Sequence, residues 1–298
     1  MITIESNIKI SNKIGFKAKA YYELLKFRLS ALVAFSGVFG FILGTGKIIN
    51  WYDLFLFAIS GFCITGAANI VNQIKEKDLD KLMKRTESRP LPTNRLSINE
   101  ALIFCSILFI ISISILFIHF NYKSGLVAIL SFVLYGFVYT PLKRVGPIAV
   151  FVGAFPGAFP PMIGWLAATN QFGWEPGVLF AIQFFWQFPH FWAIAWVLDE
   201  DYKKANFKLL PAKGGKDFDT AVQIMIYTLF LLPLSWIPYE LKMTGINSAI
   251  ITMMCGILFL AQTFHLMRKC SDKAALQMMF GSFLYLPIIQ ISFLLDRI

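Results

Sequence analysis

Asn72, Glu76 and Asp80 recur at every fourth position of the stretch NQIKEKDLD, and at about 100° per residue a helix keeps all three on one face. One amide and two carboxylates in a line offer the oxygen ligands that a hard cation such as Mg2+ takes. Lys81, Lys84, Arg85 and Arg89 follow directly. A cage for a bare metal would not gather cations beside it. A diphosphate carried with its Mg2+ needs both kinds of group, carboxylates for the metal and Lys or Arg for the outer oxygens. A solvated loop after a membrane helix has the same composition, so this run alone does not decide. A second run shifts the balance, because WVLDEDYKK brings Asp199, Glu200 and Asp201 to the end of another apolar stretch.

What holds these groups in place follows from composition. Of 298 residues, 57% are hydrophobic, 16% aromatic and only 15% charged, with a mean hydropathy of +0.65, which is the profile of an integral membrane protein. Apolar runs long enough to cross a bilayer predict nine helices near 27–46, 52–72, 99–119, 124–140, 147–169, 176–198, 220–239, 246–266 and 275–294. Connections as short as 47–51 and 120–123 leave no room for a soluble domain. The chain therefore reads as one all-α, membrane-embedded domain over 1–298 with nine transmembrane helices, beginning with a polar cytoplasmic lead over 1–26. That lead has no small-residue cleavage site, so the first span is expected to be retained. It has no Arg before Arg28, which argues against a mitochondrial transit peptide.

The net charge of +10 raises the question of a nucleic-acid partner. Its distribution answers it: of 27 Lys and Arg residues, only four, Lys47, Lys123, Lys242 and Arg297, lie on the side opposite the N-terminus. The positive-inside rule then places the N-terminus and the connections after even-numbered spans in the cytoplasm, and the C-terminus outside. Both acidic runs follow even-numbered spans and can converge on one site. Cys63, Cys105, Cys255 and Cys270 have no paired spacing and read as packing residues. His119 and His265 fall near helix ends, whereas His190 lies within an apolar run beside Pro189, where a lone histidine is often a hydrogen-bonded core residue. Gly40 with Gly44, and Gly153 with Gly157, are spaced for close helix contact, and Pro156, Pro160 and Pro161 should kink the fifth span.

The stretch NQIKEKDLDKLMKRTESRPLP, residues 72 to 92, resembles the first acidic motif of the UbiA-type intramembrane prenyltransferase superfamily. That motif has an Asn with acids four and eight residues on, then Arg85-Thr86 and Arg89-Pro90-Leu91-Pro92. YTPLKR at 139–144, GAFPGAFPPMIGW at 153–165 and WQFPHFWAIAWVLDEDY at 186–202 are similar to its haem-farnesylating branch. So is Glu76, where many aromatic-acceptor members carry Asp. The likeness runs through all nine predicted spans. It departs after Asp201-Tyr202, where ANFKLLP, with Asn206 and Lys208, replaces an expected Ala-Gly and Pro-Met.

The resemblance implies a Mg2+-dependent enzyme of the bacterial cytoplasmic (inner) membrane that joins farnesyl diphosphate to haem B and yields haem O. Haem B is then a substrate, not a cofactor. It implies a cavity open to lipid, with Asn72, Glu76 and Asp80 holding one Mg2+ and Asp201, with Asp199, the second. Lys84, Arg85, Arg89, Lys143 and Arg144 would bind diphosphate or a haem propionate, although Lys143 and Arg144 serve equally well as a positive-inside pair. Phe184, Phe185, Trp186, Phe188, Phe191 and Trp192 are candidates to shield the allylic cation. A porphyrin vinyl group would attack that cation before water adds. His190 would ligate iron or orient the water. Beside the bilayer, the implied partner is a haem A synthase or an oxidase assembly protein, with no nucleic acid. Three other readings remain open: a prenyltransferase of quinone precursors or chlorophyll-type rings, a secondary transporter and a haem carrier. Acids gathered at one face rather than at mid-depth weigh against transport, and the want of a second histidine facing His190 weighs against a carrier.

Overall fold

The computed structural model describes residues 15–46, 48–212 and 215–298. Residues 1–14 of the lead, and Lys47 with its share of the charge asymmetry, lie outside them. Among the described residues nine helices are long and apolar enough to cross a membrane: α1 Phe27–Gly44, α2 Trp51–Asp80, α3 Ile98–Phe120, α4 Tyr122–Leu142, α5 Ile148–Thr169, α6 Trp174–Val197, α7 Phe218–Glu240, α8 Ile246–Lys269 and α9 Asp272–Leu295. The expected all-α, nine-span architecture is thus what the chain forms. Its four cysteines are free, with Cys63 and Cys105 buried, in keeping with a packing role.

Two boundaries differ from expectation in a useful way. Hydropathy predicts that the second span ends near 72, but α2 continues as one 30-residue helix to Asp80. Charged residues lower hydropathy without interrupting helical hydrogen bonding, so the whole acidic stripe rides on a single element. The lead is also not merely polar. Residues 15–24 are helical, and Ala20 and Leu24 are buried against apolar residues of α2 and α3. Lys17 pairs with Glu100, the residue that closes a capping box with Ser97 at the start of α3.

α5 packs against α1 and α6 at the centre of the bundle. A Cβ at Gly40 would fall on the carbonyl of Pro161, and one at Gly164 on the carbonyl of Gly37. The two backbones therefore touch, and the expected role of Gly40 is met. α5 runs as a helix through all three of its prolines. Pro160 and Pro161 have no N–H to give the carbonyls four residues back, those of Pro156 and Gly157, and hydrocarbon offers no water to replace it. Neighbouring helices supply the donors. Ser131 Oγ of α4 donates to Pro156 O at 3.2 Å, and Gln183 Nε2 of α6 donates to Gly157 O at 2.7 Å. Gln183 Oε1 accepts from Ser36 Oγ at 2.6 Å, and Gln290 Nε2 of α9 donates to Ser36 Oγ at 2.8 Å. One polar clasp therefore joins α1, α5, α6 and α9.

Candidate active site

α2 carries Asn72, Glu76 and Asp80 to its C-terminal end in one line, and all three are buried, at 1, 4 and 0% exposure. A buried carboxylate needs a partner, and each has one. Glu76 Oε1 accepts from Lys143 Nζ at 2.8 Å. Both Asp80 oxygens lie 2.8 Å from one Arg89 guanidinium nitrogen. Asn72 Oδ1 accepts from Lys26 Nζ at 3.3 Å, and its Nδ2 donates to Thr140 Oγ1 at 3.2 Å. Thr140 stands where a π-helical turn of α4, Leu134–Tyr139, hands over to the helix end, and its hydroxyl donates to Tyr135 O at 2.8 Å. Such turns re-aim side chains at functional positions.

The connection that follows α2 is fixed by its own backbone and by a distant acid. Thr86 Oγ1 donates to Asp80 O at 2.9 Å, capping the helix end, and Met83, Leu91 and Leu96 bury their side chains beneath the loop. After α6 a short helix, Asp199–Lys204, turns Asp201 toward this loop. Its carboxylate accepts the backbone N–H of Lys84 at 3.0 Å and of Arg85 at 3.3 Å, and Lys204 Nζ donates to it at 3.1 Å. Partial desolvation would raise the Asp201 pKa, but the hydrogen bonds from Lys204 and the two amides hold it below the usual carboxylate value. Asp199 pairs with Lys203 at 2.8 Å. The side chains of Lys84 and Arg85 are exposed, with the Arg85 guanidinium over the Tyr202 ring at 5.8 Å.

Among the described residues no three His, Cys, Asp or Glu side chains gather into a closed metal cage. Mg2+ that arrives on phosphate oxygens keeps only one or two protein carboxylates. Glu76 and Asp80 supply that number of carboxylates, each at present held by a cation.

Sequence does not single out Lys26, and nothing in YYELLKFRLS marks it. It joins the residues 15–24 helix to α1 with a φ of 48°, a left-handed conformation uncommon for lysine, and this turns its side chain to Asn72. Burial, aided by the charges of Arg89 and Lys143, pushes its pKa well below the ordinary lysine value. Lys143 goes the other way. Burial would lower its pKa, but the charge and hydrogen bond of Glu76 prevail and raise it. A cavity of about 630 Å3 opens beside Glu76 and Thr140, and Lys75, Arg144, Asn206 and Lys208 complete its polar lining. The departure at ANFKLLP thus falls in the site. Asn206 has a φ of 56°, the region that glycine or asparagine serves, so the turn survives the replacement of an expected glycine. Lys208 N donates to Lys143 O at 3.1 Å, a bond that a proline there would forfeit.

His190 is 8% exposed, packs on α9 and is not among that cavity's lining residues. Its Nδ1 lies 2.8 Å from Ser282 Oγ, whose own proton goes to Met279 O at 2.6 Å. The serine therefore accepts, His190 carries its proton on Nδ1, and Nε2 keeps its lone pair. The ring stacks on Trp186 at 4.5 Å. Phe188 and Trp192, by contrast, pack on Tyr227 at 4.2 and 5.1 Å, between α6 and α7.

Residues 33–286 match the UbiA prenyltransferase family. Over 280 residues the chain is 58% identical to the protoheme IX farnesyltransferase of Cytophaga hutchinsonii, covering 94% of this chain and 98% of that one. It is 46% identical over 284 residues to the protoheme IX farnesyltransferase of Flavobacterium psychrophilum, covering 93 and 94%. In fold it is similar to a digeranylgeranylglyceryl phosphate synthase, with a TM-score of 0.79 at 22% identity over 94% of this chain and 98% of that one. It is also similar to a UbiA homologue from Archaeoglobus fulgidus bound to GPP and Mg2+, with a TM-score of 0.65 at 17% identity over 92 and 99%. Nine membrane-spanning helices, a buried amide and acid line at one end and a match across most of the length agree, and the chain belongs to the UbiA prenyltransferase family.

Proposed function

We propose that this protein transfers the farnesyl group of farnesyl diphosphate to a vinyl group of haem B, with addition of water, to give haem O. The observation that carries this reading is the 58% identity with a protoheme IX farnesyltransferase across 94% of the chain. The acid line with a cation already on each carboxylate supports it chemically. Asn72, Glu76 and Asp80 would hold one Mg2+, and Asp201 with Asp199 the second, and bound Mg2+ neutralises the charge that builds on departing diphosphate.

The chain's own cations complete that task. Lys143 and Arg89, which now rest on Glu76 and Asp80, would turn onto phosphate oxygens, with Lys26 beside them and Lys84 and Arg85 at the exposed rim. The bond from the first farnesyl carbon to oxygen breaks with both electrons leaving on diphosphate. The vinyl π electrons then form the new carbon–carbon bond, and the cation left beside the porphyrin is captured by water, which loses a proton. His190, with a free lone pair on Nε2, would ligate the iron or receive that proton.

The membrane is the bacterial cytoplasmic (inner) membrane in this reading, with the acid line and the N-terminus on the cytoplasmic side. A haem A synthase or an oxidase assembly protein would take the product. The test is to incubate the purified protein with haem B, farnesyl diphosphate and Mg2+ and seek farnesylhydroxyethyl haem by mass spectrometry. Farnesylation of a quinone precursor in place of haem B would overturn the acceptor.

A further inference from the structure

The cavity beside Glu76 is walled by cations from three separate segments, Lys75 on α2, Arg144 after α4 and Lys208 beyond the short helix Asp199–Lys204. Four cations at this end are matched to acids, Arg89 to Asp80, Lys143 to Glu76, Lys203 to Asp199 and Lys204 to Asp201. Lys75, Arg144 and Lys208 make no ion pair among the described residues. Lys75 Nζ instead lies 4.3 Å over the Phe137 ring. The lining contains one carboxylate, Glu76, and Lys143 already holds it at 2.8 Å. Three unmatched cations around a volume of ligand size, against a single carboxylate that the acid line shares, suit an anion that travels without Mg2+. Carboxylates do so, whereas a diphosphate brings its metal and would look to the Asn72, Glu76 and Asp80 line.

We propose that this cavity seats the two propionate carboxylates of the acceptor porphyrin, with Lys75, Arg144 and Lys208 as counter-ions and Asn206 as a neutral hydrogen-bonding neighbour. The inference rests on the proposed haem farnesylation and adds to it the place where the acceptor is anchored. Glu76 belongs both to the acid line and to this wall, so donor and acceptor charges are held side by side but on different cations. Cations drawn from three segments can receive two carboxylates from several directions, which a single pair could not.

The full chain in lipid nanodiscs is titrated with haem B and with haem dimethyl ester, whose propionates are uncharged, and binding is followed by absorbance. The wild type should prefer haem B to the ester by about tenfold or more. Lys75→Gln, Arg144→Gln and Lys208→Gln should each weaken haem B about three- to tenfold, as loss of one partly solvated counter-ion does, and each should lower the preference over the ester. Lys208→Arg should retain it. Affinity for farnesyl diphosphate with Mg2+ and the melting temperature should stay close to wild type, which separates lost contacts from a damaged fold. Equal wild-type binding of acid and ester, or a preference unchanged in all three variants, overturns the assignment. Farnesyl diphosphate weakened as much as haem B would give the cavity to the donor instead. Normal farnesylhydroxyethyl haem formation with no ester discrimination removes the cavity's role and leaves the proposed function standing. A wild type that neither binds haem B nor forms product removes both.

Discussion

At the scale of single residues, Asp80 is the most exposed to consequence, because a fully buried carboxylate depends on one guanidinium for its charge balance. Arg89→Ala should cost about 3–5 kcal/mol of stability, the usual effect of removing one member of a buried pair, and Arg89→Ala with Asp80→Asn should recover most of it. Melting curves of both variants check this. Recovery in the double variant should not restore turnover, since Asp80→Asn and Glu76→Gln each should lower activity about a hundredfold at limiting Mg2+ while haem binding persists. Near-normal turnover in either at limiting Mg2+ would end their assignment as metal ligands. For His190, alanine substitution should alter the absorption spectrum or affinity of bound haem and leave farnesyl diphosphate affinity unchanged. Ser282→Ala should reproduce part of that effect by freeing the tautomer. A lower melting temperature with an unaltered haem spectrum would make the histidine structural. The line Asn72, Glu76 and Asp80 was legible because helical periodicity is local. Lys26, Thr140 and Lys75 were not, since what gives them meaning is a tertiary approach, a left-handed joint or a π-helical turn that no spacing announces.

Among elements, α5 shows how a helix tolerates adjacent prolines within a bilayer. The two carbonyls they leave free are taken up by Ser131 and Gln183 from its neighbours, so the prolines and their distant donors form one unit. Gln183→Leu should destabilise the protein by about 1 kcal/mol. Adding Pro161→Ala should relieve much of that loss, because the substituted position would give Gly157 O a backbone N–H from within the helix. Unfolding in mixed micelles measures both, and additive losses would refute the coupling. The prolines were readable from sequence, but their donors were not, because Ser131 and Gln183 lie in other spans. The nine spans themselves were readable because apolar length is a direct bilayer requirement. The extension of α2 to Asp80 and the helix at 15–24 escaped the same rule, because hydropathy reports contact with lipid and not helicity.

Across the whole molecule, the charge asymmetry predicts an orientation that reporters can test. Alkaline phosphatase fused after Ile298 should be active, and a fluorescent protein fused before Met1 should fold in the cytoplasm. Reporters on the same side would contradict an odd number of crossings. The second acidic run, far along the chain, reaches the loop that follows the first where Asp201 takes the amides of Lys84 and Arg85. That strap recognises main chain only, so it is indifferent to which side chains occupy positions 84 and 85. Charge at the rim can then be changed without unfastening the loop, and kinetic losses from Lys84→Ala report on ligand contact, whereas Arg85→Ala also takes the guanidinium off the Tyr202 ring.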